Sequence, residues 1–437
     1  MPMILYSYNV ENITSQLLAA RAATQAIQHN PAAKRAQVLI ISRCAGTACI
    51  EILEAKKRNL DAMEKKILRV GEPIAVELSK LMLILKRMTF GKRFSGIQES
   101  TIDRIIWHIE QDVIPVVPIA GICAFIKVRY ARQGVLAIFG LEPLHLAAKE
   151  GLALINGTQF IAAHAVKGVE TFHQVLMQAD LIAALMLEGM NASIKPFFRE
   201  LHELRAYAGN QFVADTIYHL LEGSEIGSWC FTKAWLHLKD WWKTEINAVT
   251  DNPVLINEDL TISGGNFHGQ PLAMVLDYAC LAASEIGNIA DRRVYLSLEG
   301  DTPNVPKLLL RSTGLNSGFM ILQYTTAALA SENKGLCFPS SADSIPKFLW
   351  TGRDHVSMGS IGGRKLLQVL DNVQKIQSIE LLCASQALDF HHPLKPTPVV
   401  VAVHAHVRSA IPHLEEDQAM SEIMEHNRLL TYSGGTY

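Results

Sequence analysis

The 437-residue sequence has no excess of either charge: 40 lysines and arginines stand against 42 aspartates and glutamates, a formal net charge of −2. No basic cluster or stripe interrupts that balance, which argues against a nucleic-acid surface. Paired cysteines are missing as well. The seven present, Cys44, Cys49, Cys123, Cys230, Cys280, Cys337 and Cys383, are odd in number, scattered and without a C-x-x-C pair. That usage fits reduced thiols of a cytosolic chain and excludes a disulfide framework. No stretch reaches the roughly 20 apolar residues that span a bilayer. The most apolar run, 113–126, is broken by Pro115 and Pro118 and reads as buried interior. The opening MPMILYSYNVENI has no basic region followed by an apolar core, so neither a secretory signal nor a transit peptide is expected, and the cytoplasm is the expected location. Internal repeats and low-complexity tracts are also lacking.

What is present is apolar material at helical spacing. A hydrophobic share of 49% over this length can bury a large core, in one large domain or two to three ordinary ones. Residues 12–87 are rich in alanine, leucine and lysine, which favour helices by propensity. Within them 67–80 and 81–88 read as helical pieces around Gly71-Glu72-Pro73. At 112–118, DVIPVVP sets two prolines in a β-branched run and predicts an extended segment entering the interior. Pro143 suits a helix first turn, and Asn156-Gly157 punctuates a helix end. Three long helices are then predicted, over 272–293, 318–334 and 363–387. In the first, Leu272, Val275, Ala279, Ala282, Ile286 and Ile289 recur at helical spacing; in the third, Leu366, Val369, Val373, Ile376, Ile379 and Cys383 do. Few segments alternate with period two, so the predicted fold class is all-α, a long helical bundle.

The most informative stretch is ISGGNFHGQP, 262–271, preceded by VTDNP at 249–253. Gly264 and Gly265 let a polar loop pass close to a ligand or a second chain. The helix that follows would hold Asn266, Phe267 and His268 on a rigid base. NAVTDNPV followed by SGGNFHGQP resembles the histidine ammonia-lyase branch of the aromatic amino-acid lyases. GLEPLHLAAKEGLALINGTQF at 140–160, GLNSGFMILQYTTAALASENK at 314–334, SADSIP at 341–346, DHVSMGS at 354–360 and SIELLCASQALDF at 378–390 are similar to that family's text, in the family's order.

The resemblance implies a fumarase-like helical bundle, a homotetramer, an amino-acid substrate and, in this branch, deamination of L-histidine to urocanate and ammonia. It divides the chain into an N-terminal helical region, 1–140, and a central bundle with C-terminal helices, 141–437. Tyrosine and phenylalanine lyases or aminomutases are related alternatives, as is a lyase-fold protein kept for assembly or ligand binding. The family's electrophile is a methylideneimidazolone formed when Ala-Ser-Gly cyclises. No side chain is a comparable electron sink. Here Pro115-Val116-Val117-Pro118 leads into IAGICAFIKVRYARQG, and no Ala-Ser-Gly occurs in the chain. The group is therefore expected to be absent, and no other bound cofactor is expected.

Four further family positions are altered. The tyrosine base loop is replaced by ISRCAGTACIEILEAKK at 41–57, and a serine-histidine pair by Lys65-Lys66. The glutamine, tyrosine and carboxylate-holding arginine give way to SEIGSWCFTKA at 224–234, and N-Q-E to Trp350-Thr351-Gly352-Arg353. Arg129, Tyr130 and Arg353 are candidate replacements by position. Four positions match and are expected to bind substrate: Asn156, Asn252, Phe267 and His268. Each also has a plainer reading: Asn156 as a helix cap, Asn252 as a turn before Pro253, Phe267 as core, His268 as a residue shaping the pocket wall. His268, Asp354-His355 and His404-x-His406 do not form a convergent ligand set by spacing, so no metal site is expected.

Overall fold

A computed structural model describes residues 72–117, 135–142, 144, 150–155, 157–193, 204, 211, 214–216, 218, 220, 229–252, 254–257, 260–262, 264–343 and 355–432. Their helices are α1 (Val76–Phe90), α2 (Glu99–Glu110), α3 (Val135–Ile138), α4 (Glu150–Ile155), α5 (Gln159–Gly189) and α6 (Trp229–Ile246). Strands β1 (Val254–Leu255) and β2 (Thr261–Ile262) come next. The helices α7 (Gln270–Leu298), α8 (Met320–Leu336), α9 (Gly359–Asp389), α10 (Pro398–Ala410) and α11 (Met420–Tyr432) complete the order. The fold is all-α, as the periodicity predicts. Among the described residues the strands make one two-stranded antiparallel sheet, pairing Val254 with Ile262 and Leu255 with Thr261.

Two compact units divide the chain: Met1–Ala165, Trp241–Ala273 and Asp343–Ile361 form the first, and Val166–Asp240, Met274–Ala342 and Gly362–Tyr437 the second. This differs from a single cut at residue 140, because the chain returns to the first unit. Lys92 Nζ donates to the Asn247 carbonyl at 2.6 Å, and the Leu255 N–H to the Phe94 carbonyl at 3.0 Å.

The first unit rests on α1 and α2. Ile102, Ile105, Ile106 and Ile109 lie at helical spacing on α2, and all are buried with Leu83 and Phe90 of α1 and Ala153 of α4. Each of the isoleucines, Leu83 and Phe90 contributes about 1.5–3 kcal/mol by leaving water. The N-cap residue of α2, Gln98, offers no capping side chain. Buried Glu150 supplies the acceptor instead, taking the Gln98 N–H at 2.8 Å and the Thr101 hydroxyl at 2.9 Å. A carboxylate there also suits the positive end of the helix. The predicted pieces meeting at 80/81 are one helix through Lys80 and Leu81. As expected, 113–117 is not helical, and the Val117 carbonyl accepts from the Ile74 N–H at 2.9 Å.

In the second unit α9 is buried around most of its circumference: Leu366, Val369, Val373, Ile376, Ile379 and Cys383 are all inaccessible to solvent. Polar residues on such a helix must find partners. Gln377 donates to the Val175 carbonyl at 3.1 Å, and Gln386 to the Leu309 and Leu414 carbonyls at 3.2 and 2.7 Å. Glu380 accepts hydrogen bonds from Nε and Nη2 of Arg293 on α7. By length and composition α7 could pass for a membrane span, but most of it is buried in the protein, as a core helix is.

Candidate functional site

Two loops of the first unit carry the matching residues, joined by the β1–β2 hairpin. Before β1, Thr250 and Asp251 are buried and Asn252 is half-buried. Across the hairpin, Asn252 Oδ1 accepts from the Gly264 N–H at 2.9 Å, fastening the TDNP text to the start of the SGGNFH loop. The loop then tightens, with the His268 N–H donating to the Gly265 carbonyl at 2.9 Å, and α7 begins at Gln270 with Pro271 in its first turn.

Asn156 lies outside the described residues. The adjacent Gly157 has φ of +121°, and a Cβ there would stand 2.3 Å from Gln159 Oε1 and 2.7 Å from the Thr250 carbonyl. Only glycine fits both that conformation and that approach. Gly157 therefore lies directly against Thr250, the residue two before Asn252.

Beneath these turns is a buried polar floor. Gln159 Nε2 donates to Thr250 Oγ1 at 3.0 Å and to Thr89 Oγ1 at 3.3 Å, and its Oε1 accepts from Lys86 Nζ at 3.4 Å. The fully buried Lys86 ammonium also sits 5.1 Å from the Phe90 ring centroid, a distance at which the ring face attracts a cation. Thr158 Oγ1 donates to Glu245 at 2.5 Å; burial raises the Glu245 carboxyl above its ordinary range, and this hydrogen bond opposes the rise. The matching motifs do not mark Gln159, Thr250, Thr89 or Lys86 as parts of one network. One signal in the sequence points to it: Met82, Lys86 and Phe90 share one helix face at spacing i, i+4, i+8, so a charge sits in an apolar register.

Phe267 is at the surface, 36% exposed, which corrects the reading of it as a core filler within the chain. His268 is half-buried and meets the DHVSMG segment: its Nε2 lies 2.6 Å from the His355 carbonyl and 3.2 Å from His355 Nδ1. Asp354 and Arg353 lie outside the described residues, as do Arg129, Tyr130 and the altered stretches at 41–57, 65–66 and 118–134; of the stretch at 224–234, Trp229 onward is helical. His404 is engaged elsewhere, by Asp389 at 2.7 Å in the second unit. Among the described residues no group of three or more His, Cys, Asp and Glu side chains is arranged to hold a metal ion.

The structure thus gathers Asn252, Phe267 and His268 on one short arm. These groups can hydrogen-bond and stack on a small polar molecule. The comparisons with known proteins agree with the motifs. A family model described as aromatic amino acid lyase matches residues 20–125, 123–233 and 227–409. A histidine ammonia-lyase of Symbiobacterium thermophilum is 36% identical over 88% of this chain and 84% of its own length. The crystal structure of histidine ammonia-lyase from Trypanosoma cruzi superposes with a TM-score of 0.84 at 33% identity, covering 95% of this chain and 88% of that one. A tyrosine aminomutase from Streptomyces globisporus superposes with a TM-score of 0.76 at 26% identity, over 83% and 80% of the two chains.

Proposed function

The chain belongs to the aromatic amino acid lyase family, on its histidine ammonia-lyase side, and from that membership we propose a protein that binds an amino acid of the histidine type while being impaired in its deamination. Asn156, Asn252, Phe267 and His268 line the ligand site in this reading. The observation that carries the impairment is the absence of Ala-Ser-Gly from the chain. The residues present do not fit a methylideneimidazolone. The joins between the matched family segments, 123–125 and 227–233, support this reading, since they fall within the two stretches where the electrophile and the carboxylate-holding arginine are missing.

Deamination needs an electron sink, a base for the β-proton and a cation for the substrate carboxylate. The family residues for all three are replaced, and each 1.4 kcal/mol or so of lost transition-state stabilisation costs about tenfold in rate. Urocanate absorbance with millimolar L-histidine at high protein concentration tests the proposal. Little or no conversion is expected, together with no methylideneimidazolone band in ultraviolet difference spectra. Turnover abolished by Asn156→Ala or Phe267→Ala would overturn it.

A second reading, assembly of copies of the chain, is favoured by the solvent face of α7. Met274, Tyr278, Leu281, Tyr295 and Leu296 are exposed there, with Ile321 and Tyr324 exposed on α8. Exposed apolar side chains gathered on one helix face are a feature of interaction sites. A cytoplasmic homotetramer accommodates both readings, and the free thiols Cys280, Cys337 and Cys383 are consistent with a reducing compartment.

A further inference from the structure

We infer that His268 is a positioning residue, a charge-sensitive clasp that caps α7 and fastens the Phe267 loop to the segment preceding α9. The clasp originates in the way α7 begins. The Gly269 carbonyl accepts the first helical hydrogen bond, from the Ala273 N–H at 3.0 Å, which makes Gly269 the N-cap residue. N-cap side chains ordinarily satisfy one of the orphan N–H groups of the first turn. Gly269 has no side chain, and a Cβ there would stand 2.3 Å from Ile161 Cδ1 and 3.1 Å from Ser357 Oγ. The preceding residue supplies the missing acceptor, with His268 Nδ1 lying 3.3 Å from the Gln270 backbone nitrogen.

A backbone N–H only donates, so Nδ1 accepts and carries no proton. The neutral ring then holds its proton on Nε2, which points at the His355 carbonyl 2.6 Å away. One imidazole therefore joins the first turn of α7 to residue 355 through two different atoms, each in a fixed role. The SGGNFH loop is held at both ends, by Asn252 at Gly264 and by His268 at its close, with Phe267 between.

Protonation reverses one of these roles. An imidazolium presents Nδ1–H to the Gln270 N–H, donor against donor, at the positive end of a helix dipole. The titratable group facing His268 among the described residues is the His355 ring, its Nδ1 at 3.2 Å and its centroid at 5.1 Å. Charging both rings sets two cations in contact. The clasp is closed while His268 is neutral and opens as it gains a proton. It rests on the ligand-site reading only for its consequence, the placement of Phe267.

Hydrogen exchange of the Gln270 amide, corrected for its intrinsic pH dependence and followed between about pH 8 and about pH 5, tests the clasp. In the native chain, protection should fall by roughly fivefold or more on acidification, the equivalent of one net hydrogen bond. His268→Phe, which keeps the ring volume and loses the acceptor, should lack that protection at both ends of the range. His268→Asn retains an acceptor that does not titrate and should hold protection constant. Native protection that ignores pH, or a pH response that persists in His268→Asn, would overturn the inference, and either measurement decides it should His268→Phe fail to fold. Calorimetric titration with L-histidine at the alkaline end separates the two proposals. A closed clasp without binding removes the ligand reading alone, and binding without a pH-sensitive Gln270 amide removes the clasp alone.

Discussion

Phe267 and Gly269 are two residues apart and have opposite sensitivities. Truncating a buried phenylalanine costs about 3–5 kcal/mol, but at 36% exposure Phe267→Ala should move the denaturation midpoint of the dissociated chain by less than about 1 kcal/mol. A loss of the larger size in monomer would refute the surface placement. At Gly269 one added methyl meets Ile161 Cδ1 at 2.3 Å, and overpacking of this kind costs about 1–3 kcal/mol. Gly269→Ala should therefore lower the thermal midpoint clearly where Phe267→Ala does not. The family motif marks both residues but does not rank them, because burial depends on what the fold brings from elsewhere. Ile161 is more than a hundred positions away in the sequence. Lys86 is legible only in part: its place between Met82 and Phe90 on one helix face sets a charge in an apolar register, but only the folded chain brings Gln159 to it.

Helices were the legible elements. The hydrophobic period places α7, α8 and α9 and understates most of their ends by two to five residues; at the start of α9 the turn Gly359-Ser360 carries no apolar signal, whereas the end of α7 runs on through the apolar Val294, Tyr295, Leu296 and Leu298. What joins them was not legible, because it is polar. Asp389, the last residue of α9, accepts from His404 at 2.7 Å and Arg408 at 2.6 Å of α10, and from His413 at 2.7 Å just beyond it. Burial pushes the Asp389 carboxyl up, but the hydrogen bonds from His404, His413 and Arg408 together outweigh it and hold the group well below the usual carboxylate range. A depressed carboxyl contributes stability that is present above its unfolded value and lost as the pH falls through the folded one. Asp389→Asn should lower stability at neutral pH, and the deficit relative to the native chain should shrink as the pH drops below about 4. Urea midpoints across that range give the answer; a deficit independent of pH would remove Asp389 from the account.

Arg293 and Glu380 set a harsher condition between α7 and α9. Burial raises the Glu380 carboxyl, and the Arg293 guanidinium pulls it back. Removing one member of a buried pair costs about 3–5 kcal/mol, because a charge is left without its partner. Arg293→Met should be destabilising by that order near neutral pH. The loss should diminish on acidification, since a carboxyl whose native value is raised takes up its proton sooner in the folded chain. Glu380→Gln leaves the Arg293 guanidinium without its partner, but that side chain keeps 13% of its surface in solvent whereas Glu380 keeps none, so this variant should cost less. Equal losses from the two variants, measured by chemical denaturation, would contradict this.

For the whole molecule the telling quantity is the apolar surface left uncovered. The exposed Met274, Tyr278, Leu281, Tyr295 and Leu296 lie on a helix whose other side is fully packed, so a single amphipathic face does not account for them. Assembly of copies into a closed, symmetric oligomer is the expected outcome, and the homotetramer proposed above is the form to be tested. Light scattering at micromolar concentration should return four times the 48.2 kDa chain mass, and Leu281→Lys should shift the distribution toward smaller species. A monodisperse native monomer would rule the assembly out.

The two halves of the site also differ in how far along the chain they reach. Asn252 and Gly264 close a span of 12 residues, whereas Gln159 reaches Thr250 over 91 and Thr89 over 70. Loop-closure entropy grows as the logarithm of that span, so the long closures cost roughly 2 kcal/mol more than the short one. Local contacts also form sooner than distant ones. During refolding the hairpin arm bearing Asn252 and Phe267 can take shape while the chain is still largely open, and the polar floor closes only with the final collapse.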